Sequence, residues 1–406
     1  MIGRGVKGNA DLCAYFFLRA ARLLRPGGMA GLLATNTIAQ GDTREVGLDQ
    51  LTERGLAIPR AIPSRKWPGG ASLEVAHVWL HRSPEGRAWQ AGWTLNDQPV
   101  SGITAYLAEP GAVIGLPKRI AANAQISFQG SVVLGTGFLL DECQAKRLLL
   151  DEERHRDCVF PYLSGEDLNS RPFQDPSRWV INFQDWPLSR SIEGSWASAD
   201  AVLRKEWLQK GRVPADYPDP VAADYPILLD LVEARVKPQR AKSKRSNYRE
   251  RWWRFAERCP GLYAAISGKQ RTLVIPETTK YCAFSFCSAS LVFSHMTKVI
   301  ALDTAAEFAL LNSSVHEIWT RKHSSTLETR LKYVTTDAFE TFPFPNNLTD
   351  LEAIGERYYS HRQQIMQARQ EGLTKTYNRF HDPAETSADI AELRALHVET
   401  CLLYTS

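Results

Sequence analysis

Residues 8–51, GNADLCAYFFLRAARLLRPGGMAGLLATNTIAQGDTREVGLDQL, decide how the rest of the chain is read. Apolar positions recur at helical spacing over 9–24, and Asn9 is a residue type that caps helix N-termini. Arg25-Pro26-Gly27-Gly28 ends that helix, because proline withholds a backbone donor and glycine admits a turn. Met29–Ala34 is a short apolar run between this turn and polar residues, as in a buried strand. Thr43–Arg54 reads as a second helix closed by Gly55, Leu56–Ile62 as a strand, and the alternating Leu73–His81 as another. The order helix, strand, helix, strand, strand predicts one side of a parallel α/β sheet that ends in an antiparallel hairpin. Such a sheet would keep an open inner edge. Residues 1–115 therefore read as the second half of a doubly wound domain, with the first half lying elsewhere.

Beyond a Gly- and Pro-rich stretch over 83–115, residues 116–345 mix the two periodicities and read as an α+β domain. Strands are expected at Ile126–Leu134, Trp179–Phe183, Thr272–Pro276, Ala283–Phe286 and Ser290–Phe293. Helices are expected at Asp141–Asp151, Ile227–Val236, Thr304–Leu311 and Ser314–Lys322. Pro343 and Pro345 mark a boundary, and 346–406 read as C-terminal helices over 348–370 and 386–398. The final CLLYTS (401–406) resembles translated adapter sequence and is given no functional weight. The fold class expected is thus α/β plus α+β.

Hydrophobic content of 44% and charged content of 23% fit a folded chain of two or three domains. No apolar run approaches the roughly 18 residues of a membrane span. The N-terminus lacks the features of a signal peptide, so a cytoplasmic protein is expected. Seven scattered cysteines form no paired ligand spacing, and no metal site is expected. The net charge of +4 is unevenly placed. Residues 235–254 carry nine Lys/Arg against Glu250, a net of +8, which leaves 4 − 8 = −4 for the remainder. Within VKPQRAKSKRSNYRERWWRF (236–255), Tyr248, Trp252, Trp253 and Phe255 interleave with these cations. That combination suits phosphate contact together with stacking on bases, although a solvated basic face accounts for it equally.

The opening stretch, continued by AIPSRKWPGGASLEVAHVWLHRS (61–83), resembles the later motifs of MmeI-like adenine-specific DNA methyltransferases. PYLSGEDLNSRPFQDPSRWVINFQDW (161–186), Arg249–Phe255 and FETFPFP (339–345) resemble the target-recognition and C-terminal regions of the same single-chain restriction-modification family. The resemblance runs to about residue 398. It implies a Rossmann-like methyltransferase sheet, transfer of a methyl group from S-adenosyl-L-methionine to adenine, and double-stranded DNA as partner. It also implies an adenine flipped out of the stack and a methyltransferase or nuclease portion ahead of this region. No Asn-Pro-Pro or Asp-Pro-Pro occurs in the sequence, nor the Gly-rich cofactor motif, so this chain alone is expected to be inactive.

The resemblance places Asp11, Tyr15 and Phe16 beside the cofactor and base pocket, with core packing an equal account of the two rings. It aligns Trp67 with the aromatic that stacks on the flipped adenine. Asn36, Thr37, Gln40, Asp42 and Arg44 form a polar loop after a strand, where sites in parallel sheets lie, and are assigned a DNA- or pocket-facing role. In the recognition region Asn169, Arg171 and Arg178 are candidates for base edges; Glu166 and Asp167 read better as loop-positioning residues. Lys242, Lys244, Arg245 and Arg249 are candidates for phosphates. Arg321 and Lys322, with Arg330 and Lys332, form a second basic cluster facing DNA. Val132–Phe138 (VVLGTGF) imitates a cofactor loop, but no acidic strand end follows, and it reads as a structural turn. Two further readings stay open: a stand-alone DNA-specificity module that complements a separate catalytic chain, and a single-stranded nucleic-acid binder using the Trp-rich basic segment.

Overall fold

The computed structural model describes residues 10–70, 73–84, 87–111, 117–327 and 330–405. Asn9 and the expected boundary at 115/116 lie outside them. The chain forms two compact units, neither continuous in sequence. One comprises residues 1–123, 278–282 and 314–344; the other comprises 124–277, 283–313 and 345–406.

In the first unit, helix α1 (Cys13–Leu23) leads into strand β1 (Met29–Thr35). A helical stretch over 41–53, π-helical at Glu45–Asp49, leads to β2 (Leu56–Lys66), and a hairpin returns as β3 (Glu74–Arg82). Short strands β4 (Trp93–Leu95) and β5 (Gln98–Val100) complete a five-stranded sheet in the order β1-β3-β2-β4-β5. The parallel ladder expected between β1 and β2 is replaced. The returning β3 inserts between them and pairs antiparallel with both, leaving β2–β4 as the parallel pair of this sheet among the described residues. A two-strand hairpin closes with few residues, whereas a parallel neighbour needs a long crossover.

The core of this unit gathers Ala14, Phe17 and Leu18 of α1 with Ile38, Leu48, Ile58, Val78 and Leu80. β1 is not buried on both faces as its composition suggested. It is an edge strand, and Met29 and Leu33 stand about half exposed. Leu12, Phe16 and Leu23, at positions that share one side of a helix, are each roughly 70% exposed on α1.

Later sequence joins the same unit. Residues 278–279 pair with Arg330–Lys332, which pair with Ser325–Leu327. The Asn123 Nδ2 donates to the carbonyls of Phe339 and Phe342 at 3.1 and 2.8 Å. The helix Ser314–His323 packs His316 wholly out of water against the edge of Phe342, within 3.1 Å of the Tyr333 hydroxyl.

In the second unit, β6 (Ser127–Gln129), β7 (Leu139–Leu140), α2 (Glu142–Asp151), β8 (Val159–Leu163), α3 (Gly165–Ser170) and β9 (Arg178–Ile181) precede the long helix α4 (Pro226–Ala241). Then come α5 (Ser246–Glu250), β10 (Arg271–Pro276), β11 (Ser285–Ser288), β12 (Val292–Phe293), β13 (Thr297–Ile300) and α6 (Ala305–Leu311). Two four-stranded sheets result, ordered β11-β10-β13-β6 and β12-β8-β9-β7. The expected strand Ile126–Leu134 is shortened to β6. Past Gln129 the chain makes isolated bridges, because Gly130 passes within 2.1 Å (measured from an added Cβ) of the Ser294 carbonyl. Asp141 and Thr304 cap α2 and α6 with reciprocal bonds to Gln144 and Glu307.

Helices α7 (Leu351–Arg369), α8 (Leu373–Phe380) and α9 (Ala388–Thr405) complete the unit. α9 continues through the first residues of CLLYTS. Arg362 of α7 is fully buried and donates to Phe284 O, Ser285 Oγ and the Tyr377 hydroxyl, tying α7 and α8 to β11. No helix among the described residues is long and apolar enough to cross a membrane.

Gly355 lets α7 touch α6, and an added Cβ would sit 2.0 Å from the Ala305 carbonyl. Alanine favours helix by about 1 kcal/mol, but the overlap is backbone against backbone. Gly355→Ala is therefore expected to lower stability by about 2 kcal/mol, read as an earlier urea midpoint. Burial holds the His316 imidazole at about 3, below the ordinary histidine value. The unfolded chain then takes up a proton that the folded one refuses. The stabilisation is complete above about pH 6.5 and declines as pH falls toward 3. Urea midpoints at pH 7 and pH 5 should show this loss, and His316→Asn should reduce the difference between them.

Candidate nucleic-acid interface

The register of the first sheet fixes one of its ends as a polar site. Thr35, the last residue of β1, pairs with Val75, and Lys66, the last of β2, pairs with Glu74. The 36–44 loop and the Trp67 hairpin therefore lie at the same end. Asn36 Nδ2 donates to Ser64 Oγ at 3.2 Å, and Ser64 in turn hydrogen-bonds Glu74. Asp11 accepts from the Cys13 amide on one oxygen and from the hydroxyls of Thr35 and Thr37 on the other, at 3.1, 3.1 and 3.4 Å. The bond to the Cys13 amide is an Asx turn just ahead of α1, whose N-cap position is Leu12. Tyr15 is half-buried against the core, whereas Phe16 points outward. Trp67 is 36% exposed, its amide bonded to the Leu73 carbonyl and its indole folded over Gly69.

The polar loop meets late sequence in a cleft of about 590 Å³. Gln40, Asp42 and Arg44 line it together with Tyr106, His323 and Lys332. The structure thus unites candidates nearly 300 positions apart in the chain. Arg44 is buried here rather than free, bonded to Asp49 at 3.1 Å with its guanidinium 3.9 Å above the Tyr106 ring. Burial, with Lys322 and Arg44 adding repulsion, holds His323 down to about 4, so it is neutral at pH 7. Arg321 is engaged by Glu317 at 2.6 Å, while the neighbouring Lys322 is exposed and Arg330 stands on the surface strand.

In the second unit the 165–178 cluster divides. Asp167 is buried and receives the Ser164 and Ser177 amides, closing a capping box on α3. Arg171 forms a two-pronged pair with Asp175, at 3.1 and 2.5 Å. Arg178 is exposed at the start of β9, and Asn169 is half-buried near the end of α3.

The basic run also divides, by depth. Lys242, Lys244, Arg245 and Arg249 are exposed, and neither lysine forms an ion pair among the described residues. Arg245 donates to the Tyr248 hydroxyl at 2.7 Å, and Arg249 to the Ser243 carbonyl at 2.6 Å. Arg240 is buried and gives every bond to backbone carbonyls, those of Val133, Leu134, Arg251 and Arg254. The expectation of stacking aromatics is corrected for Trp252, Trp253 and Phe255: all three lie in the hydrophobic core, because the chain turns inward directly after α5. Tyr248 alone of that set stays part-exposed. The single-stranded binder reading loses its aromatic platform with this burial. The VVLGTGF loop is a turn that packs on α4: a Cβ at Gly137 would fall 2.4 Å from that of Arg235. Among the described residues no three His, Cys, Asp or Glu converge as a metal-ligand set.

Sequence reasoning missed Tyr106 and His323, which sit in no quoted motif, and Asp185, which lies in the quoted 161–186 stretch but was not singled out. It also missed Arg251, Arg254 and Arg258 as a group, whose three- and four-residue spacing was the available signal.

Residues 222–346 match the family described as MmeI, target recognition domain. No curated protein matches the sequence. Among solved structures, that of the type IIL restriction-modification enzyme MmeI in complex with DNA is similar over 98% of this chain and 51% of its own, with a TM-score of 0.65 at 18% identity. The type IIG restriction endonuclease BpuSI aligns over 97% of this chain and 49% of its own, with a TM-score of 0.33 at 11% identity. The chain spans about half the length of each. It therefore has the fold of one half of MmeI, and its residues 222–346 match the MmeI target recognition domain.

Proposed function

We propose that this chain is the target-recognition half of a site-specific, adenine-directed DNA methyltransferase of restriction-modification type. The observation that carries the reading is the exposed, unpaired Lys242 and Lys244 beside Arg245 and Arg249, inside the stretch that matches a target recognition domain. Cations without internal partners are free to displace counterions from a duplex, the dominant source of affinity in such interfaces. Arg178 and Asn169, whose side-chain donors are uncommitted among the described residues, are suited to base edges. In the first unit Lys322 is a further exposed cation. Trp67 is proposed to stack on an extruded adenine, from the sheet end that also carries Asn36, Gln40 and Asp42.

The residues present do not by themselves make a cradle for S-adenosylmethionine. Asp11 has both oxygens committed, one to the Cys13 amide and one to two threonines, and Tyr15 packs into the core. We therefore derive no methyl-transfer step from this chain. The cofactor-binding portion is assigned to a preceding methyltransferase half, on the same or another polypeptide. The exposed apolar side of α1 and the edge of β1, unpaired among the described residues, support that assignment over a self-sufficient specificity module, because open edges and large apolar patches mark surfaces that are normally covered. The second half of a Rossmann-like sheet would end in such an edge.

Lys242→Gln/Lys244→Gln/Arg245→Gln should flatten the salt dependence of duplex binding, with the logarithmic slope reduced by about 2 to 3. Fluorescence anisotropy between 50 and 200 mM salt measures it, and an unchanged slope removes the phosphate role. Calorimetry of the chain alone with S-adenosylmethionine should show no binding at micromolar concentration. Tight binding would overturn the division of labour proposed here.

A further inference from the structure

The second unit holds a polar pocket of about 200 Å³ that Tyr248, from the same basic run, helps to line. Its wall includes four guanidinium groups, those of Arg240, Arg251, Arg254 and Arg258, and one carboxylate, Asp185. The formal charge of the lining is therefore 4 − 1 = +3. Internal hydrogen bonds do not neutralise it. Arg240 spends its donors on carbonyls, and Arg254 gives two bonds, at 2.9 and 2.7 Å, to the Trp186 carbonyl. Arg251 donates one bond, to the Gln209 carbonyl at 2.8 Å, and keeps further donors. Arg258 pairs with Asp185, yet its Nε is buried with no hydrogen-bond partner. A buried donor without a partner costs about 1–3 kcal/mol, and desolvated charges need a counter-charge. Burial correspondingly holds Arg240 and Arg254 down to about 10, and Arg251 and Arg258 add repulsion at Arg254.

We propose that this pocket is a seat for one tetrahedral phosphate group, supplied by the backbone of the bound duplex. The assignment of the source rests on the DNA-binding reading above; the seat itself rests on the donors left on Arg251, Arg254 and Arg258, with Arg240 adding charge but no free N–H. Charge-assisted bonds from arginine forks are the strong way to hold such a group. Tyr248 joins the two sites, since it lines the pocket and hydrogen-bonds the exposed Arg245. A strand that follows Lys242 to Arg249 would thus pass the pocket mouth.

The test uses the full chain with two probes, inorganic phosphate and a mixed-sequence duplex. Phosphate, titrated against chloride at constant ionic strength, is followed through tryptophan fluorescence, because Trp253 lies 5.2 Å below the Arg254 guanidinium. Saturable binding is expected, weakened about tenfold in Arg251→Gln. It should be tightened in Asp185→Asn, which removes the competing carboxylate without removing a donor. On the duplex, Arg251→Gln should lower the salt slope by about one, and Arg251→Lys should keep most of it. Phosphate binding with no slope change in Arg251→Gln would overturn the duplex as source. No phosphate response in the wild type or in Asp185→Asn would overturn the seat. A chain that saturates with phosphate but never binds duplex would uphold the seat and sink the DNA-binding reading, so the two failures are distinguishable.

Discussion

The buried guanidinium of Arg240 organises the basic side of the second unit. One side chain near the end of α4 donates five hydrogen bonds, to the carbonyls of Val133, Leu134, Arg251 and Arg254. It joins the distant VVLGTGF turn to the last turn of α4 and to the stretch that follows α5. Carbonyls turned inward need donors, and a planar fork of five N–H groups can satisfy several at once. The chain after α5 can then drop Trp252, Trp253 and Phe255 into the core while Lys242, Lys244 and Arg249 remain outside. The arrangement concentrates positive charge beneath an already basic surface, which has a use if an anion sits there.

A comparable division of labour recurs elsewhere. Arg362 is buried and tied to Phe284 O, Ser285 Oγ and Tyr377, and holds the C-terminal helices to a sheet. Arg44 packs on Tyr106 beside Asp49. In each case a residue type that composition assigns to the surface or to a ligand serves as a structural crosslink, because its long stem and planar fork can join partners on separate segments: carbonyls and hydroxyls for Arg362, a carboxylate and a ring for Arg44. Charge counts along a sequence therefore overstate the cations open to a partner. The open ones are recognised by lacking an internal acceptor, as Lys242, Lys244 and Lys322 do among the described residues.

Much of the first unit was legible. The helix over α1, the strands at 29–35, 56–66 and 74–82, and the hairpin between the last two follow from periodicity and from the Pro-Gly and Gly punctuation. The capped helices α2 and α6 announced themselves through Asp141 and Thr304. The insertion of β3 between β1 and β2 was not legible, because strand order depends on which edge a returning strand finds free and leaves no mark on local spacing. The short strands β8 and β13 were missed for a related reason: mixed apolar runs of four or five residues carry too little period to separate strand from coil.

The sequence by itself determined the types of the main helices and strands described between residues 13 and 82, the helices that begin at Asp141 and Thr304, the basic segment and the resemblance to a target-reading enzyme, since each rests on local spacing, on residue type or on an ordered motif. Tertiary structure alone decided that residues 278–282 and 314–344 belong with the N-terminal unit, that the 36–44 loop shares a cleft with His323 and Lys332, and which arginines of the basic run are buried. Those outcomes depend on contacts between segments hundreds of residues apart. Burial and charge compensation are properties of such contacts, and a linear pattern does not encode them.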